Sequence, residues 1–229
     1  MKLKLTVLAI LMASVSYAQE FTRSIQPYTS LIISRGVDIR LVPSSAKEAK
    51  IKVTGIDPED LIMEHKGDDL YIKIATKSLW EEMEDNHWYA RIELPYTKIE
   101  NLEISSGAKI SSDKTFAGEL LDMQVSMGGE IELEVSLNEL IIDASMGSLV
   151  ELMGKSTNLN ITASMGSEVD LSELLAEYAI VKSNMGSEVK VKVSKDFEGK
   201  ANMGGEISVS GNPAKFYQST TMGGEIKSN

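Results

Sequence analysis

The hydrophobic and polar positions of this sequence alternate on both sides of a glycine that recurs at a nearly fixed interval. Seven glycines are 21, 19, 19, 20, 18 and 19 residues apart. The third residue after each one is Ile or Val, and the fifth and third residues before it are mostly apolar or small. Period-two alternation predicts β-strands, so each unit is predicted to be strand, tight turn, strand. The glycines are Gly107, Gly128, Gly147, Gly166, Gly186, Gly204 and Gly223.

The regular spacing favours a solenoid over a meander. In a solenoid, equivalent strands of successive units pair with each other, which requires the same class of residue at every level. Glycine fits the turn because it adopts positive φ without steric cost. We therefore predict an all-β parallel β-solenoid of two sheets, with coils of about 19 residues. Seven levels at about 4.8 Å would make a stack roughly 30 Å tall.

The region before the repeats follows the same pattern less regularly. Apolar residues flank Gly36 at the offsets of the repeat, which predicts an eighth, diverged unit. Lys66–Asp69 is a predicted hairpin turn between two short strands. Residues 77–89 break the pattern and are predicted to form a long acidic loop. Ser172–Tyr178 contains helix formers, yet the glycine spacing across it leaves room only for an outer turn of the coil.

The first 18 residues are predicted to be a signal peptide. Lys2 and Lys4 precede an apolar run, and Ser16-Tyr17-Ala18 offers small residues at a cleavage site before Gln19. No later stretch has the roughly 20 apolar residues of a membrane helix. We therefore expect an exported protein of the periplasm or cell surface. Its domain would comprise an irregular region, residues 19–104, and seven repeats, residues 105–229.

Charge and cysteine content restrict the function further. Loss of residues 1–18 changes the formal net charge from −11 to −13, because they contain two lysines and no acid. So acidic a chain is a poor nucleic-acid binder. The absence of cysteine removes disulfides, thiol catalysis and zinc–thiolate sites.

Three segments carry a family resemblance. They are Ser34–Ile39 with the sequence SRGVDI, the Leu94-Pro95 step that leads into Ile104–Gly107, and the glycine turns that follow. With these segments the chain resembles the bacterial family called putative auto-transporter adhesin, head GIN domain, over about residues 25–228. The resemblance implies a right-handed, pectin-lyase-like β-helix and a role in adhesion. The family's usual Gly-Ser-Gly turn is Met-Gly-Ser or Met-Gly-Gly here, so the resemblance supports the fold more than any binding surface.

A methionine precedes six of the turn glycines. By parity with the apolar positions, these side chains are predicted to point inward as adaptable corner fillers. The alternative is a soft thioether site for copper(I), without histidine to assist it. The residue before each methionine is Ser, Asn or Thr, which we interpret as a hydrogen-bonded ladder that supports the turn. The methionines are Met127, Met146, Met165, Met185, Met203 and Met222.

An acidic column lies two residues after the glycine. Glu168, Glu188, Glu206 and Glu225 occupy four successive levels, and stacked like charges repel unless they are screened or bridged. We interpret the column as a solvated acidic face. Calcium binding is the alternative, because calcium prefers oxygen ligands. No other cofactor is expected.

One aromatic cluster lies outside the repeats, at Trp80, His87, Trp88 and Tyr89. Its rings could stack on sugars, or they could cap the end of the solenoid.

We predict a non-enzymatic envelope scaffold that binds a surface polysaccharide or an envelope protein. The alternatives are a carbohydrate-active enzyme on a pectin-lyase-like helix and a cation-binding periplasmic protein. The sequence leaves the ligand and the oligomeric state open.

Overall fold

The computed structural model describes residues 19–75 and 89–228, and all regular structure in these residues is β-strand. No helix in this part of the chain is long and apolar enough to cross a membrane. The first nine strands are β1 Gln19–Ser24, β2 Ser30–Ser34, β3 Val37–Pro43, β4 Glu48–Thr54, β5 Leu61–Lys66, β6 Asp69–Ile74, β7 Tyr89–Tyr96, β8 Asn101–Ser105 and β9 Lys109–Ser111. The others are β10 Phe116–Val125, β11 Glu130–Ala144, β12 Leu149–Ala163, β13 Glu168–Asn184, β14 Glu188–Asn202, β15 Glu206–Ser210, β16 Lys215–Thr221 and β17 Glu225–Ser228.

Strands of successive repeats pair in parallel and in register, which confirms the solenoid. Ile131 of β11 pairs with Val150 of β12, and Val150 pairs with Val169 of β13. The same alignment continues from β13 to β14 and from β14 to β15 and β16. A meander would instead pair the two strands beside each glycine. The chain therefore winds one coil per repeat, about 19 residues long.

The predicted apolar columns form the core. The Ile or Val that follows each turn glycine by three residues is buried in the coils from Ile110 to Ile207. The columns before the turn are equally buried, for example at Ile142 and Ala144. Their outward neighbours are polar, so hydrophobic burial acts at every level of the stack.

The side of the coil opposite the glycine turn differs from the predicted outer turn. Each of β11 to β14 is one continuous strand from one glycine turn to the next, with no loop between. Ser172–Tyr178 is neither an outer turn nor helical; it lies within β13. The extra residues of this coil are absorbed by register shifts around Leu171–Leu175 and Ala176–Tyr178. Tertiary pairing on both sides overrides the local helix propensity.

The diverged unit around Gly36 is confirmed as a level of the solenoid. Its strands β2 and β3 pair in parallel with β8 and β9 of the Gly107 unit. On their other side, β2 and β3 pair with β6 and β7. β6 and β7 therefore form one further level. Of the predicted acidic loop, residues 77–88 lie outside the described residues, and Tyr89 begins β7.

The two ends of the solenoid are built differently. At the N-terminal end, β5 pairs antiparallel with β6 through the predicted hairpin, and β4 pairs antiparallel with both β7 and β1. At the other end, β16 and β17 pair only with β14 and β15 among the described strands. Most residues of β16 and β17 are exposed.

Candidate functional site

The glycine corner is a stack of tight turns with two consecutive residues at positive φ. In the turn Ser164–Ser167, φ is 53° at Met165 and 70° at Gly166, and the Ser167 N–H donates to the Ser164 carbonyl at 3.3 Å. This geometry defines a type I′ turn. A Cβ on Gly166 would meet nothing within 4 Å, so backbone conformation selects glycine here. The predicted turn glycines Gly36, Gly107, Gly128, Gly147, Gly166, Gly186, Gly204 and Gly223 all have φ between 66° and 77°.

The turns are also hydrogen-bonded to each other. The N–H of Gly147 donates to the carbonyl of Met165 in the next coil at 3.2 Å. The N–H of Gly166 donates to the carbonyl of Met185 in the same way. The ladder thus continues around the corner, and the separation between successive turns is fixed by backbone bonds.

The predicted inward position of the methionines is wrong. The six side chains lie outside the core and are between 46% and 80% exposed. Each methionine is the first positive-φ residue of its turn, with φ between 47° and 53°. Two left-handed residues in succession break the alternation on which the parity argument relied. The left-handed conformation costs most residues that carry a Cβ about 1–2 kcal/mol. Gly, Asn and Asp tolerate this conformation better.

The residue after the turn glycine points inward instead. Ser148, Ser167 and Ser187 are each 1% exposed. The Ser167 hydroxyl donates to the carbonyl of Ala144 at 3.0 Å. In other coils this position is glycine, and a Cβ on Gly205 would lie 2.4 Å from the Ser183 carbonyl oxygen. The small residue at this position was visible in the sequence, but its burial depends on the turn type.

Part of the predicted polar ladder is present before the turn. The Asn202 side-chain amide donates to Oδ1 of Asn184 at 2.9 Å. Oδ1 of Asn202 in turn accepts from the Thr221 hydroxyl in the next coil. These bonds link three successive coils beside the exposed methionines.

The acidic column is stacked as predicted, but lysine side chains lie beside its carboxylates. Glu168 pairs with Glu188, Glu188 with Glu206, and Glu206 with Glu225 across the coils. Lys190 Nζ lies 3.2 Å from Glu188 and 3.6 Å from Glu168. Lys190, as well as solvent, therefore screens the repulsion between these carboxylates, which the interpretation of the sequence did not include. The described residues contain no group of three or more His, Asp or Glu placed to hold a metal ion.

A second lysine repeats the arrangement at the C-terminal end of the column. Lys227 Nζ lies 2.5 Å from Glu206 and 3.3 Å from Glu225. Hydrogen bonds to Glu206 and then Glu225 raise the Lys227 pKa. Lysines two residues after the glutamate position thus reach carboxylates of adjacent coils, because neighbouring strands are only about 4.8 Å apart.

Asp170 is the most constrained carboxylate of this face. Burial raises its pKa, but hydrogen bonds from the Ser172 hydroxyl and backbone, together with Lys190, outweigh this effect and lower it overall. The two Ser172 bonds measure 2.6 and 3.0 Å, and Lys190 Nζ is 3.4 Å away. Asp170 also continues a register column with Glu132 and Glu151. Beside these three lies a shallow depression of about 220 Å³.

A larger depression lies on the outer surface of β1, β4 and β7. We call this surface the Arg91 face; it has a depression of about 410 Å³ lined by Glu20, Phe21, Thr22, Lys50, Ile51, Lys52, Arg91 and Glu93. Its charges alternate in ion pairs: Lys52 with Glu20 at 3.0 Å and Lys50 with Glu93 at 3.2 Å. Arg91 bonds to Asp38 of β3 at 3.0 Å. The face therefore presents charged donors and acceptors on adjacent strands.

Tyr89 is placed at the margin of the Arg91 face. Its ring is 36% exposed and lies 5.7 Å from the Arg91 guanidinium. The other members of the predicted aromatic cluster, Trp80, His87 and Trp88, lie outside the described residues. The sequence pattern did not indicate that Lys50, Lys52 and Arg91 share one surface, because they come together only when β4 pairs with β7.

A known protein family matches most of this chain. The model of the family described as putative auto-transporter adhesin, head GIN domain, matches residues 27–213. No curated protein matches the chain.

Several solved structures share the fold at low identity. A putative adhesin from Bacteroides fragilis NCTC 9343 has 12% identity, a TM-score of 0.79, and coverage of 93% of this chain and 97% of its own. A putative lipid binding protein from Parabacteroides distasonis ATCC 8503 has 14% identity, a TM-score of 0.70, and coverage of 92% and 96%. A putative adhesin from Parabacteroides merdae ATCC 43184 has 9% identity, a TM-score of 0.69, and coverage of 93% and 96%.

Proposed function

The chain belongs to the putative auto-transporter adhesin, head GIN domain family, and on this premise we propose that it is a non-enzymatic scaffold of the cell envelope that binds a surface polysaccharide or an envelope protein. The family and the β-solenoid make it an adhesin-like surface or envelope protein. Binding through a particular surface is the finer step, and the Arg91 face is the observation that carries it.

The chemistry of the Arg91 face suits a polar polymer. The charged side chains of Lys50, Lys52 and Arg91 offer several N–H donors, and Glu93 offers acceptors, along adjacent strands. A flat ring beside them, that of Tyr89, can pack against the apolar face of a sugar. The depression of about 410 Å³ compares with about 220–260 Å³ for three other depressions of the described surface.

The carboxylate of Asp170 does not have the pKa shift that the general acid of a glycosidase needs. A glycosidase of the common type needs one carboxylic acid with a raised pKa beside an ionised carboxylate. In the column of Glu132, Glu151 and Asp170, the pKa of Asp170 is lowered by Ser172 and Lys190 despite burial. That shift keeps the carboxylate ionised. The carbohydrate-active alternative predicts turnover of acidic polysaccharides, which an activity screen with the purified chain would detect.

A glycan and envelope-protein array with residues 19–229 tests the binding function. We expect a retained ligand whose binding weakens in Tyr89→Ala and Arg91→Ala. Tyr217→Ala is the matched control, because Tyr217 is 62% exposed at the opposite end of the solenoid. Trp80→Ala and Trp88→Ala extend the test to the rest of the predicted cluster. Equal binding by all four variants and the control would reject this face.

Export is a separate part of the proposal. Residues 1–18 are proposed to direct the chain out of the cytoplasm and to be removed before Gln19. Cell fractionation followed by N-terminal sequencing tests this directly. A protein that begins at Met1 and stays in the cytoplasmic fraction would contradict it.

A further inference from the structure

We propose that the six exposed methionines of the glycine corner form a binding site for a soft monovalent cation, copper(I) or silver(I). We call them the methionine column, Met127, Met146, Met165, Met185, Met203 and Met222. The site is independent of the Arg91 face and of the proposed polymer binding. It rests on the position, spacing and chemistry of the thioethers.

The fold itself does not require methionine at this position. Ser106 and Arg35 occupy the equivalent place in the Gly107 and Gly36 turns, with φ of 55° and 63°. The side chains of the column are about half exposed or more, so they fill no core space. Type I′ turns favour Gly, Asn and Asp there. Methionine nevertheless recurs in all six turns from Met127 to Met222, which indicates a use for the side chain itself.

The stacked turns hold the backbones of successive methionines one strand separation apart. The Gly-to-Met hydrogen bonds of 3.2 Å join successive turns, so equivalent residues are one strand separation, about 4.8 Å, apart. A zinc–sulfur bond is about 2.3 Å long, and two metal–sulfur bonds of about that length in line would span about 4.6 Å. Three rotatable bonds in each side chain allow the sulfurs of two adjacent coils to converge on one ion.

The ligand chemistry selects the class of cation. Thioethers are soft, uncharged ligands that favour copper(I), whereas calcium and magnesium require oxygen ligands. Thioethers do not titrate, so binding should persist at mildly acidic pH, where histidine and thiolate sites lose their metal. The formal net charge of the chain, −11, also favours the approach of cations.

The test uses the full mature chain and silver(I), which avoids copper oxidation, followed by copper(I) under anaerobic conditions with a chromophoric competitor. The key variant is Met165→Asn/Met185→Asn. Asparagine tolerates the left-handed conformation, so this variant should fold at least as well as the wild type while lacking two thioethers. Met123→Leu is the control, because Met123 is fully buried in the core.

We expect the wild type and Met123→Leu to bind silver(I) and copper(I) alike at pH 7 and pH 5. The double variant should bind fewer ions, and the affinity for an ion between Met165 and Met185 should fall about tenfold or more. The methionine methyl resonances of the column should shift on metal addition, whereas that of Met123 should not. Unchanged affinity and stoichiometry in the double variant would overturn the proposal, as would binding that is lost in Glu188→Gln but retained in the double variant.

Discussion

The backbone N–H of Gly166 donates to the backbone carbonyl of Met185 one coil away, at a distance of 3.2 Å. This bond requires both residues of each turn to keep the left-handed conformation. The turn is therefore part of the sheet ladder rather than a passive connection. Changes at the glycine are expected to affect the neighbouring coil as well as their own.

Replacement of Gly166 by valine should destabilise the protein by about 2–4 kcal/mol, because a β-branched side chain resists positive φ. Gly166→Asn is the matched control, since asparagine tolerates this conformation and a Cβ here meets no atom within 4 Å. Urea unfolding followed by circular dichroism measures both. If the valine variant is as stable as the asparagine variant, conformation does not select glycine at the turn.

Removal of one complete coil should leave a shorter folded solenoid. Deletion of residues 147–165 joins Met146 to Gly166 and recreates a turn of the sequence Ser-Met-Gly-Ser. Each coil contacts mainly its neighbours, so the remaining coils can stack across the deletion. Circular dichroism should show a β-rich product. Gel filtration should show that this product has the same assembly state as the parent protein. Deletion of residues 147–155, half a coil, is the control and should abolish folding.

The repeat made the solenoid predictable, because parallel stacking demands equal spacing and like residues at each level. The buried Ile and Val column and the hairpin around Gly67 followed from period-two alternation. The exposure of Met165 could not be obtained in this way. Parity counts residues along a strand, and two successive positive-φ residues reverse the side-chain direction that it assumes.

Tertiary pairing explains the other misses. Ser172–Tyr178 has the composition of a short helix, yet β12 and β14 pair on both sides of it and hold it extended. The Arg91 face arises from strands that are distant in sequence, since Lys52 and Arg91 are brought together by antiparallel pairing. No local pattern marks such a surface. Only its aromatic member, Tyr89, was singled out by composition.

Asp170→Asn should destabilise the protein at neutral pH. The wild-type pKa is lowered in the folded state, mainly because the Ser172 hydrogen bonds and Lys190 outweigh burial. A depressed folded-state pKa gives stability that is present above the unfolded pKa and is lost as pH falls through the folded pKa. The difference in melting temperature between wild type and variant should therefore shrink in acid. Glu151→Gln, in the adjacent coil, is the control and should show a smaller difference.

Removal of Lys190 should reveal the repulsion within the acidic column. Lys190 lies within 3.6 Å of Glu168, Asp170 and Glu188, and hydrogen bonding to Glu188 is the main cause of its raised pKa. A raised lysine pKa gives stability that is complete at neutral pH and is lost only as pH rises through the folded pKa. Lys190→Met should cost about 0.5–1 kcal/mol at low salt, since the pairs are partly exposed.

Ionic strength then separates a solvated face from a cation site. Monovalent salt should narrow the gap in melting temperature between Lys190→Met and the control Lys192→Met, an exposed lysine of the same strand, because screening weakens the uncovered repulsion. Calcium at equal ionic strength should act like the monovalent salt in wild type and in Glu188→Gln. Stabilisation of the wild type by micromolar calcium alone, absent in Glu188→Gln, would instead identify the column as a calcium site. If Lys190→Met is as stable as its control at low salt, the carboxylates do not interact strongly enough to matter.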